Sequence, residues 1–111
     1  MTRSREERLA DILSAIDRCS AYREALDDPA EPTARMAYDA VLHNLMVIGE
    51  AANAMREDLA NVVPGTEWNS IIGLRNIIAH AYFQVQPDVI IDVIDTNLDP
   101  LATEIRRLLG S

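Results

Sequence analysis

The sequence has 111 residues, 49% of them hydrophobic, and a formal net charge of −8. That length and apolar content exclude a disordered chain and suit one domain, 1–111, with a core that needs no staples. The chain contains no lysine, so a broad basic footprint for nucleic acid is excluded, and any phosphate chemistry must rest on a few of its ten arginines.

Cys19 is the only cysteine, which rules out an internal disulfide framework and suits a reducing compartment. The opening MTRSREERLADIL is polar and charged rather than a secretory signal. No apolar run approaches the roughly 18 residues of a membrane span. A cytoplasmic protein without membrane contact is therefore expected.

In chain order, the first predicted helix runs from Arg5 to about Leu26, with Leu9, Ile12, Leu13, Ile16, Cys19 and Ala25 at helical spacing. The stretch Asp27 to Pro32 should break it, because its two prolines cannot continue a helix. A second helix is predicted from Thr33 to about Ala60. Its stripe of Met36, Met46 and Met55 reads as core packing rather than a cofactor box. Within it, Ile48-Gly49-Glu50-Ala51-Ala52 is a patch of small residues around one glutamate, where another helix could come close.

After a loop at Asn61–Gly65, Thr66 is a predicted N-cap for a third helix that begins near Trp68 and runs towards Tyr82. Trp68 reads as a core anchor. Gln86-Pro87-Asp88 opens a fourth helix, with proline in its first turn and an acid suited to the helix dipole. Pro100 should split or kink that last segment. No alternating pattern suggests a strand. The predicted fold is all-α, an up-and-down bundle of four to five helices.

The third helix carries the chemistry. Its Gly73–Tyr82 stretch, GLRNIIAHAY, holds Arg75, Asn76, His80 and Tyr82 within eight positions. Asn76 and His80 share a face, Arg75 and Tyr82 share a stripe, and Arg75 and His80 diverge by about 140°. With Ile71, Leu74 and Ile78 taken as the core side, the four polar groups flank an exposed arc. Histidine can move a proton near neutral pH, and arginine can hold a phosphate and stabilise its extra charge in the transition state. RNA brings its own nucleophile, the 2′-hydroxyl, so a metal-free phosphodiester site is conceivable. Such cleavage uses a base and an acid, and one such histidine per chain hints at a symmetric dimer.

Spacing alone favours a blander reading. An arginine and a histidine on one helix are more often a surface pair or a satisfied polar contact. Two histidines and one cysteine without paired ligand spacing speak against zinc, and His43 reads as structural or exposed. Phosphate-cradling glycine loops and nucleophile elbows are absent. Glu50 is either the buried partner of an arginine or a cleft residue.

Arg75-x4-His80-x-Tyr82 resembles the Arg-x4-His-x-Tyr signature of HepT-like toxins, a branch of the HEPN superfamily of helical ribonucleases. The likeness extends to Asp11-Ile12-Leu13 with Ala15-Ile16, to Ile48–Ala52, to Trp68–Asn76 and to the helix after Pro87. It implies a HEPN-like bundle and a metal-independent, cofactor-free endoribonuclease toxin acting as a homodimer, with Arg75 and His80 of both chains at a shared cleft. Asn76 and Glu50 would support the site. It also implies a cognate antitoxin of the minimal nucleotidyltransferase family, which silences the toxin by attaching AMP to Tyr82. The rival reading is a non-catalytic helical module whose cleft binds only a nucleotide or a partner protein.

Overall fold

The computed structural model describes residues 3–110; the ends of the expected 1–111 domain, residues 1, 2 and 111, lie outside the described residues. Helix α1 spans Arg5–Tyr22 and starts where Ser4 caps it. The Ser4 hydroxyl accepts from the Glu7 N–H at 3.1 Å, and the Glu7 carboxylate accepts from the Ser4 N–H at 2.9 Å. This reciprocal box satisfies two donors that the first turn leaves without helical partners. Leu9, Ile12, Ile16 and Cys19 face the core as expected. Burial in apolar surroundings pushes the Cys19 thiol up to about 12.

A short 3₁₀ turn, Glu24–Asp27, leads into α2, Glu31–Ala54. The expected break through Pro32 ends earlier, because Pro32 sits in the first turn of α2, where its missing N–H has no helical partner to lose. The predicted continuation to Ala60 also fails. Met55 leaves the helical region (φ −111°, ψ 17°), and a separate α3 follows at Arg56–Val62, returning Leu59 to the core. Met55 is buried and Met46 half-buried, but Met36 is 71% exposed and is not core. Asn44 is buried within α2, where its side-chain amide donates to the Ala40 carbonyl at 2.8 Å.

Helix α4 covers Trp68–Ala81. Its N-cap is Glu67, without a side-chain cap, rather than Thr66, whose carbonyl instead accepts from the Trp68 N–H at 2.9 Å. The buried indole fixes this start, as its N–H donates to the Val63 carbonyl at 3.2 Å. A 3₁₀ turn at Tyr82–Gln84 precedes α5, Pro87–Asp92, which has proline in its first turn as predicted. The chain then widens into a π-helical turn, Val93–Leu98, before α6, Asp99–Leu108. The interruption expected at Pro100 thus falls one turn earlier: proline has no N–H to donate backwards, and the wider turn precedes it.

Helix α1 packs on α2, α2 packs on α4, and α6 returns to α1. Their inward faces merge in one apolar cluster centred on Ile12, Ile16, Val41, Ile48, Ile90 and Ile105. Each such side chain contributes about 1.5–3 kcal/mol when fully buried. Ion pairs close the ends: Arg106 reaches Asp17 at 2.6 Å, and Arg23 grips both oxygens of Asp95 at 2.9 and 3.1 Å. The architecture is the all-α bundle predicted. Among the described residues there is no β-strand, and no helix is long and apolar enough to cross a membrane.

Candidate active site

The site is built on the contact between α2 and α4. Arg75 follows Trp68 by seven residues, so it lies on the same stripe as Trp68 and beside buried Ile72. That stripe points at α2, which corrects the expectation that Arg75 flanks an exposed arc. Ile71 and Leu74, taken as the core side, are only half-buried, whereas Ile78 is buried. The stem of Arg75 rests on Gly49. A Cβ on residue 49 would overlap the Arg75 Cβ and stand 2.7 Å from its Cγ. The close helix approach expected at this patch of small residues is therefore made by Arg75 itself.

The guanidinium emerges at the rim of this contact, with the Arg75 side chain 27% exposed. One terminal nitrogen, Nη1, donates to Asn76 Oδ1 at 2.8 Å; the other, Nη2, pairs with the Glu50 carboxylate. The Arg75 Nε is buried without a hydrogen-bond partner among the described residues. Glu50 is thus the partner of an arginine, one of its two expected roles, but its side chain is 53% exposed rather than buried. An ion pair this open to water contributes little to stability, about 0–1 kcal/mol. It aims the guanidinium without locking it, so a phosphate could take the carboxylate's place.

His80 lies in the last turn of α4 and is exposed. Among the described residues, no hydrogen bond or ion pair joins it to Arg75. Arg75, Asn76 and Glu50 therefore form one hydrogen-bonded cluster, which His80, one turn beyond Asn76 on the same helix, does not join. His43 is exposed on α2, and no three His, Cys, Asp or Glu side chains among the described residues gather as a metal site would require.

Tyr82 begins the 3₁₀ turn after α4 and is 64% exposed. It borders a groove of about 520 Å³ between that turn and the first half of α2. Across the groove, the Tyr38 hydroxyl donates to the Val85 carbonyl at 2.9 Å, pinning the turn to α2. Burial raises the Tyr38 phenol above its ordinary range, while the charge of nearby Arg35 works against that rise. Sequence reasoning missed Arg35 and Tyr38. They share a face of α2 at a spacing of three, but nothing local to them signals the turn 47 positions away that closes the groove.

The family model described as "Ribonuclease HepT-like" matches residues 12–108. A Methanocaldococcus jannaschii protein whose name includes the word RNase is 26% identical over 97 residues, covering 87% of this chain and 89% of that one. A second protein of that organism, also named with the word RNase, is 31% identical over 70 residues, 63% of this chain and 58% of its own. A Thermococcus cleftensis protein named "Probable ribonuclease HepT" is 25% identical over 108 residues, 97% of this chain and 98% of its own. No solved structure matches the chain.

Proposed function

Because the chain belongs to the HepT-like ribonuclease family, a family of RNA-cleaving nucleases, we propose that it is the ribonuclease toxin of a toxin–antitoxin pair, cutting RNA without a metal through Arg75 and His80. The observation that carries this reading is the seating of Arg75 on Gly49. It presents a permanently charged fork at the surface, held by an exposed acid that a phosphate could replace.

The chemistry follows from the groups available. A base removes the proton of the RNA 2′-hydroxyl, whose oxygen attacks the adjacent phosphorus. The 5′-oxygen leaves with a proton from an acid, and a 2′,3′-cyclic phosphate remains. Arg75 stabilises the extra negative charge on the phosphoryl oxygens, and His80 exchanges protons. Asn76 keeps one edge of the guanidinium in place while Glu50 gives way. One chain offers one such histidine, so a homodimer that pools both copies of each residue would supply the second acid–base group.

Regulation falls to Tyr82. Its exposure leaves it accessible to a modifying enzyme, and the partner in this reading is a minimal nucleotidyltransferase antitoxin that attaches AMP to the phenol oxygen. The added phosphate would compete for Arg75. The rival reading, a non-catalytic module that binds a nucleotide or protein, draws on the engagement of Arg75 with Glu50 and on the net charge of −8. Expression without the nucleotidyltransferase gene separates the two. Wild type should arrest growth and His80→Ala should not; unhindered growth with wild-type protein at the same level contradicts the toxin reading.

A further inference from the structure

We infer that the groove between Tyr82 and the first half of α2 is a subsite for one unpaired nucleotide of the RNA substrate, with its base against Tyr38 and Tyr82 and its phosphate on Arg35. The inference rests on the RNA-cleaving reading of the neighbouring site and specifies how that site holds its substrate.

Three observations meet here. The groove, about 520 Å³, lies within the size range of small-ligand sites, and its walls include Val85 and Ile91 beside the two tyrosines. The Tyr38 ring is held rigid by its hydrogen bond to Val85, whereas Tyr82 stands exposed at the mouth. Unpaired bases are recognised in this way, flat against aromatic rings, with a cation for the backbone.

Arg35 supplies that cation. Six other arginines, Arg3, Arg5, Arg23, Arg75, Arg106 and Arg107, are committed to carboxylates. Arg8, Arg18, Arg35 and Arg56 make no ion pair among the described residues, and of these Arg35 lines the groove, together with the carboxylates of Glu31 and Asp39 one turn to either side on α2. In a chain of net charge −8, long-range attraction cannot collect RNA, so a few local contacts must carry the affinity. Tyr82 is also only two residues beyond His80. Arg35 and Gly49, however, stand about 21 Å apart along α2, so a nucleotide in the groove would lie a few nucleotides along the strand from the one whose phosphate meets Arg75.

The test measures binding of a fluorescein-labelled, single-stranded octaribonucleotide of mixed sequence by anisotropy. The background is His80→Ala, so that the RNA stays intact. Arg35→Gln should weaken binding about ten-fold and lower the salt dependence, d log K/d log[salt], by about 0.7, the loss of one phosphate contact to a single strand. Ala34→Trp, which fills the groove, should weaken binding to a similar extent. Arg18→Gln on α1 removes the same charge elsewhere and should change binding less than about two-fold. Should Ala34→Trp fail to fold, Tyr82→Ala with rescue by Tyr82→Phe gives the stacking readout instead. Equal effects of Arg35→Gln and Arg18→Gln, an unchanged salt slope, or no binding by the parent protein would each overturn the subsite. RNA cleavage by the wild type is scored separately. Its absence alongside groove-dependent binding would count against the nuclease reading while supporting the subsite.

Discussion

Gly49 on α2 and Arg75 on α4 occupy one place in the molecule: the arginine stem fills the space that a side chain at position 49 would need. A buried stem and a surface guanidinium make a cation whose base is fixed and whose tip is available. The long side chain loses much of its freedom on folding rather than on binding phosphate, so less ordering remains to oppose substrate. Asn76 and Glu50 then orient the tip.

Gly49→Ala should therefore act on stability and on the site together. Its methyl group meets Arg75 Cβ and Cγ, neither of which can swing away as the end of a flexible chain could. Overpacking of this kind costs about 1–3 kcal/mol. Chemical denaturation should show that loss, and ribonuclease activity of the folded fraction should fall as Arg75 is pushed off its seat. Unchanged stability would mean that the two helices are not pressed together here.

The Arg23–Asp95 pair gives a pH signature. The Arg23 guanidinium, donating to both oxygens, holds the Asp95 carboxyl below its usual range. A depressed carboxyl pKa adds stability that is fully present above the unfolded value, about 3.9, and is lost as pH falls through the folded value. Asp95→Asn should melt below wild type at neutral pH, and the two melting curves should converge as pH drops below about 4. A gap that persists undiminished at pH 2 would contradict the assignment.

Much of the bundle was legible in the sequence because α1 carries a regular stripe, Leu9, Ile12, Ile16 and Cys19, and Pro87 marks a helix start. The break at Met55 was not, since no glycine or proline stands there and both sides keep helical spacing. The orientation of α4 is not legible for a related reason. Apolar residues lie all around that helix, and periodicity cannot choose between a core side at Ile71 and Leu74 and one at Trp68 and Ile72. The choice is made by α2, through the gap at Gly49. That Glu50 could partner an arginine is one of two readings the sequence allows, but which arginine, and the exposed position of the pair, depend on where α4 crosses.

Subunit mixing tests the proposed dimer. If the cleft draws His80 from both chains, an equal mixture of wild-type and His80→Ala chains forms about one quarter fully wild-type dimers. Ribonuclease activity after unfolding and reassembly should approach that fraction rather than one half. Activity of one half, or an active monomer at micromolar concentration, would sink the composite site.

Tyr82→Phe separates catalysis from regulation. It should keep much of the ribonuclease activity while escaping modification by the nucleotidyltransferase with ATP and magnesium. Intact mass and peptide mapping read the result. A wild-type protein with no adenylyl group, or one carrying it on Tyr22 or Tyr38, would place the switch elsewhere.

The most direct measurement is cleavage of RNA by the purified protein in excess EDTA, with wild type, Arg75→Ala and His80→Ala side by side. Wild type should cut and leave 2′,3′-cyclic phosphate ends. Each variant should lose at least about 100-fold in rate, the scale of general acid–base and electrostatic contributions, while keeping its helical content. Cleavage that stops on adding EDTA, or full activity in His80→Ala, would contradict a metal-independent site built from these two residues.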